Sequence, residues 1–241
     1  MSIAQGLPPI GPPAAAAGPT GRDVLLGLSV STVLFLLLAV GIGIAHLFYP
    51  GDWLRGPWGL LLQLALANAV LAAAALAVAA RRGWAMFLFK PLRTGMLAIC
   101  AAGGAAGGIT LALLLTLLSE AVGVRLHGVN DELMGVDELP PLGLALFALI
   151  AAGTTPLVEE LIFRGLLFQW LRGRIGATGG ALASAVLFGA LHWPTGQAIW
   201  AGLVGFALAL LFDRTGSLWA SVAAHSGNNA LAIVLVLTLV V

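Results

Sequence analysis

The hydrophobic positions of this chain gather into long runs rather than narrow stripes. Apolar stretches of about 20 residues recur, each long enough to cross a bilayer as a helix. They suggest spans at 24–49, 57–80, 95–118, 141–158, 178–193, 197–212 and 217–240. None alternates apolar with polar positions as the strands of a membrane barrel do. The predicted architecture is therefore all-α, a polytopic transmembrane bundle of about seven helices within a range of six to eight. The fifth and sixth runs are short, and the fourth can continue through TTPLVEELIFRGLLFQWL to about 171.

The polar stretches divide the chain into three parts. Residues 1–23, rich in Pro, Gly and Ala, read as a flexible tail. Residues 24–140 carry N-terminal membrane helices with an amphipathic loop at 81–94 and an acidic loop at 119–140, and residues 141–241 hold the remaining helices. The segment RRGWAMFLFKPLR contains Arg81, Arg82, Lys90 and Arg93 and no acid, which places it in the cytoplasm. Its apolar middle, Trp84 to Phe89, is expected to lie along the membrane interface. Loop 119–140 sets Glu120, Asp131, Glu132, Asp137 and Glu138 against Arg125 and is expected outside. On that scheme Arg172, Arg174, Arg214 and the N-terminus are cytoplasmic, in a multi-pass protein of the cell membrane. Within the third run AGGAAGGI spaces Gly103 from Gly107 and Gly104 from Gly108 by four residues, a pattern that lets helix backbones approach closely, chiefly inside the chain.

Composition sharpens this picture. Hydrophobic residues make up 60% of the 241 and charged ones 9%, and mean hydropathy is +1.05. Soluble domains carry about 25% charged residues, so this chain cannot clothe a water-facing surface in the usual way. A net charge of +1 gives no argument for a nucleic-acid partner. The single cysteine, Cys100, excludes an intrachain disulfide and reads as a small packing residue. No basic cluster precedes an apolar stretch in the first 20 residues, so the start does not read as a cleavable signal.

Against this background three charges stand out. Glu159, Glu160 and Arg164 follow a run, Leu142 to Val158, that has none. A charge at the bilayer centre costs on the order of 2.5–3.5 kcal/mol on insertion scales. At about 100° per helical residue, Glu160 and Arg164 lie about 40° apart and can pair, with the acid on the favourable N-terminal side. Glu159 points about 100° away from Glu160 and is left facing something else. The bland alternative is that all three reach into head groups at the end of the fourth span.

The histidines weigh against that alternative. Of four, His46 closes the first span and His127 lies in the acidic loop, but His192 and His225 sit in apolar segments. Phe188 and His192 are one turn apart, as are His225 and Asn229, with Asn228 alongside. Ionisable groups inside a membrane usually face each other or a wet cavity. A glutamate can take a proton from water and a histidine can share it, while histidine and asparagine can donate to an oxyanion. No nucleophile-elbow serine and no cysteine near a histidine point to a covalent route. Water activated by glutamate, with or without a metal, is the simplest hydrolytic assignment. Two histidines and two carboxylates match a zinc ligand inventory, but the short spacing of the usual zinc helix is missing.

Glu159-Glu160-x-x-x-Arg164, Phe188-x-x-x-His192 and His225-x-x-x-Asn229, in that order, resemble the three motifs of the CPBP family of intramembrane proteases, related to the type II CAAX prenyl endopeptidase. The run RGLLF at 164–168 looks like the family's continuation, and the resemblance covers roughly 140–240. It implies a peptidase of glutamate or metallo type acting on a peptide or protein at the membrane. Glu159 would activate the water with help from His192, and His225 with Asn229 would stabilise the oxyanion. Glu160, Arg164 and Phe188 would be supporting. No cofactor is required on this reading; where zinc is used, Glu159, His192 and His225 are its ligands. A non-proteolytic immunity or scaffold protein of the same fold is the alternative. A proton-coupled transporter ranks lower, because no long internal repeat is apparent.

One tension follows from the span limits. Glu159 falls near the inner end of its span, whereas His192 closes a span running from inside to outside. Either Gly153 and Pro156 break the fourth segment, the short fifth span is tilted or set deep, or the topology differs by one crossing.

Overall fold

A computed structural model describes residues 18–48, 56–123, 136–192 and 195–239. Among these, six helices are long and apolar enough to cross a membrane: α1 Gly21–Phe48, α2 Pro57–Arg82, α3 Thr94–Val122, α4 Pro141–Ala190, α5 Thr195–Thr215 and α6 Leu218–Leu239. The helical bundle expected from the runs is present. The count is six spans because runs four and five belong to one bent element. Exposed apolar side chains such as Leu37, Leu47, Ile99, Leu117 and Val186 cover its outside, as hydrocarbon surroundings require.

The bend resolves the tension in depth. Helix α4 turns back at Ile175 (φ −126°, ψ 16°) and Gly176 (φ 75°, ψ 173°), the second a conformation that only glycine adopts freely. The returning arm packs closely: a Cβ on Gly180 would stand 2.8 Å from the Arg172 backbone nitrogen. Glu159 lies 16 residues before Ile175 and His192 lies 16 after Gly176 (175 − 159 and 192 − 176). At about 1.5 Å per residue, both stand about 24 Å from the bend. The fourth segment is thus unbroken at Gly153 and Pro156, and the fifth run is a short arm that ends deep beside the glutamates.

The basic residues collect at one end of the bundle. Arg81 and Arg82 pair with the buried Asp23 at 3.3 and 3.5 Å, Arg172 pairs with Asp213, and the Ser217 hydroxyl donates to the Lys90 carbonyl. Two expectations change here. The tail ends earlier than residue 23, because Thr20 and Asp23 cap α1 reciprocally: Thr20 N–H and Oγ1–H donate to Asp23 Oδ2 at 2.8 and 2.7 Å. The 84–89 stretch does not simply lie on the interface. Trp84 is exposed, but Met86 and Phe87 are buried in the main core, against Gly165, where a Cβ would come within 2.6 Å of the Phe87 ring.

The glycine stripe on α3 works as intramolecular packing. A Cβ at Gly104 would overlap the Ala224 carbonyl of α6, and one at Gly108 the Asn228 side chain; nothing lies within 4 Å of Gly103 or Gly107. Cys100 is buried with Leu208, Ala220 and Ala224. Most of the acidic loop, with Arg125, His127, Asp131 and Glu132, lies outside the described residues, as does most of the N-terminal tail.

Candidate active site

The two glutamates ride on a short α-helical stretch, Thr155–Ile162, bracketed by π-helical turns at Ile150–Thr154 and Phe163–Phe168. A π turn leaves backbone carbonyls without their usual donors, and such turns occur frequently at functional sites. Here side chains meet the need. Thr155 N–H donates to the Ile150 carbonyl, so in that register the Ala151 carbonyl would look to residue 156, a proline with no N–H. Asn229 Nδ2 donates to Ala151 instead, at 2.9 Å. In the second turn Gln169 Nε2 donates to the Gly165 carbonyl at 2.6 Å and Ser184 Oγ to Phe163 at 3.4 Å.

Glu160 and Arg164 form the ion pair that the helical angles imply, with Nη1 2.8 Å from Oε1. Both residues are completely buried. Arg164 Nη2 donates to the Gly205 carbonyl of α5 at 2.7 Å, and its guanidinium lies 4.7 Å from the centre of the Phe188 ring. Space for this comes from Gly205, where a Cβ would stand 2.9 Å from Phe188 and 3.2 Å from Arg164. The Phe188 ring also touches Phe163 edge-on at 4.8 Å and His192 at 4.5 Å. Phe188 is the floor on which the guanidinium and an imidazole are set.

Glu159 meets the two histidines. His192 Nε2 lies 3.9 Å from Glu159 Oε1, and His225 Nε2 lies 3.6 Å from Oε2. The other ring nitrogens are held: His192 Nδ1 is 2.8 Å from the Phe188 carbonyl, and His225 Nδ1 is 3.0 Å from Glu160 Oε1. Both partners are acceptors, so each Nδ1 carries a proton and each Nε2 is turned toward Glu159. Glu159 Oε2 is buried with no hydrogen-bond donor on it. The Glu159 and His192 side chains keep 13% and 26% exposure, against 0% for Glu160 and 6% for His225, so the pocket opens on the Glu159–His192 side.

Four of the seven residues named from the motifs thus touch one another directly: Glu159, Glu160, His192 and His225. Arg164 and Phe188 support them. Asn229 joins through the Ala151 carbonyl, with Oδ1 accepting from Asn228 at 3.0 Å. Among the described residues no three His, Cys, Asp or Glu side chains are arranged to hold a metal ion. In the Glu159, His192 and His225 set the two imidazoles face different carboxylate oxygens, and no step below runs through a metal.

Several contributors carried no motif. Asn68 of α2, buried, donates to Thr155 Oγ1 at 2.9 Å, one turn before Glu159. The Gly205 carbonyl, Ser184 and Gln169 likewise look like ordinary membrane-helix residues. For Asn68 the available signal was one of two amides, with Gln63, in an otherwise apolar span.

Comparison with known proteins agrees with this geometry. Residues 141–231 match the family described as Type II CAAX prenyl endopeptidase Rce1-like. The chain is 24% identical over 137 residues to the Bacillus subtilis (strain 168) protein named "Putative membrane peptidase YdiL", covering 54% of each chain. It therefore spans about half the length of that curated relative. No solved structure matches it. The matched residues 141–231 contain all seven motif side chains, so the likeness to the Rce1-like family falls on the part of the chain that holds the site.

Proposed function

We propose that the protein is an intramembrane endopeptidase in which Glu159 activates a water for attack on a peptide carbonyl. The observation that carries this reading is the convergence of the Glu159 carboxylate with two imidazole nitrogens whose opposite ring positions are fixed. A water fits between the Glu159 carboxylate and the two Nε2 atoms because it can both donate and accept. Glu159 takes one as the water oxygen bonds to the carbonyl carbon, and His192 steadies the same water. His225, when protonated, keeps Nδ1–H on Glu160 and presents Nε2–H to the oxyanion, while Asn229 acts through the Ala151 carbonyl it holds. The C–N bond then breaks, and Glu159 passes its proton to the leaving amine. Peptide plus water gives acid plus amine, with no covalent enzyme intermediate.

Glu160 has two duties on this reading: it neutralises Arg164 and orients His225. The substrate is a peptide segment at or in the membrane, and the protein is expected in the cell membrane with its basic end cytoplasmic.

The test is cleavage of a membrane-tethered reporter peptide by purified protein in liposomes. Glu159→Gln is expected to abolish turnover while remaining folded and extractable. Activity is expected to survive exhaustive chelation. Full activity in Glu159→Gln would overturn the assignment. Loss on chelation with recovery on adding zinc would replace the water-only route by a metal one.

A further inference from the structure

Two amides from different helices grip the first π turn of α4. Asn229 of α6 donates to the Ala151 carbonyl at 2.9 Å, and Asn68 of α2 donates to Thr155 Oγ1 at 2.9 Å. Asn68 Nδ2 also reaches the Leu64 carbonyl of its own helix at 2.8 Å, which leaves its amide no freedom to swing. Asn68 is buried and Asn229 half-buried, so the grip on Thr155 comes from the interior of the bundle. The gripped turn stands directly before the Glu159 helix, with Thr155 four residues ahead of Glu159 and hence on nearly the same face.

A π turn holds one more residue than the α turn it replaces. At about 100° per residue, its loss would rotate everything beyond it by that angle relative to Pro141–Leu149. Glu159 would then leave His225, which belongs to α6, while His192, beyond the turn on the returning arm of α4, would turn with it. The turn has little backbone support of its own, since Pro156 supplies no N–H. The Asn229 amide therefore stands where the backbone lacks a bond, and the Asn68 amide holds the turn's exit through the Thr155 hydroxyl.

We infer that Asn68, which lies outside the three motifs and outside residues 141–231, is a positioning residue that fixes the rotation of Glu159 through Thr155. The inference rests on the proposed peptidase reading for its effect on catalysis, but not for its effect on geometry. In Asn68→Ala, Glu159 is held from the α6 side alone. A misplacement of about 1 Å costs about 100-fold in such chemistry, so turnover falls about 10- to 100-fold with KM changed by less than about threefold.

Two measurements test it. The first needs no substrate: the chain has four histidines, and ¹⁵N-histidine spectra of the full-length protein in lipid resolve ring nitrogens. Asn68→Ala is expected to move the Nε2 signal of His225, and Thr155→Val to move it in the same way. An unchanged His225 Nε2 signal in folded Asn68→Ala overturns the inference. The second is a cycle of Asn68→Ala, Thr155→Val and the double variant in the reporter assay. The double variant is expected to be no slower than the slower single one; multiplying losses, or wild-type turnover in Asn68→Ala, overturn the inference. Should the spectra shift as expected while Glu159→Gln still cleaves, the role of Glu159 in activating water fails and the positioning role stands.

Discussion

Removing Arg164 should expose how the site tolerates a carboxylate at its heart. Arg164→Met keeps most of the stem volume, so the cavity left is small. It deletes the partner 2.8 Å from Glu160 Oε1 and the donor 2.7 Å from the Gly205 carbonyl. Glu160 is then a wholly buried carboxylate left with the neighbours His225 and Ser221 and no cation fixed beside it. Breaking a buried pair by removing one partner costs about 3–5 kcal/mol, because the survivor is left uncompensated. Neutralising the survivor should recover most of this. In Glu160→Gln/Arg164→Met the remaining deficit is the lost charge-assisted bond to the Gly205 carbonyl, about 1.5–3 kcal/mol. The double variant should thus be more stable than the single one, an inversion that simple counting of lost contacts does not give. Reversible unfolding in mixed micelles, followed by the fluorescence of the seven tryptophans, measures both. Arg164→Met within about 1 kcal/mol of wild type, or a double variant less stable than Arg164→Met, would refute the reasoning.

Other consequences follow from backbone packing. Gly104→Ala should sharply reduce the yield of folded protein, because its Cβ would overlap the Ala224 carbonyl, whereas Gly103→Ala meets open space and should behave as wild type in size-exclusion profiles. Gly176→Ala should destabilise by about 1–3 kcal/mol through its φ of 75°, read by thermal unfolding. A neutral result there would mean that the α4 hairpin turns elsewhere.

The sequence reading reached the chemistry of the site more readily than its scaffolding. Glu160 and Arg164 were legible as a pair because i, i+4 geometry survives a π turn that starts between them. That Glu159 faces away from this pair followed from the same angles, and His192 and His225 indeed face it. The fold class was legible because bilayer thickness dictates run length. The bend at Ile175–Gly176 was not, since a glycine inside RIGATGG marks equally well a loop between two spans. The π turns were illegible for a deeper reason: their carbonyls are completed by Asn229, Gln169 and Ser184, and the Asn229 and Ser184 partnerships exist only in the folded bundle. Phe87 shows a similar ambiguity, because an apolar residue beside a basic cluster can face lipid or core with the same local pattern.

The central claim, that one glutamate and two histidines from separated segments meet to hold a water, reduces to distances. An experimental structure of the protein in lipid, with wild-type Glu159, measures them directly. The account predicts His192 Nε2 and His225 Nε2 each within about 4 Å of the Glu159 carboxylate, or bridged to it through one ordered water. Separations beyond about 10 Å, too far for one water to bridge, would contradict it.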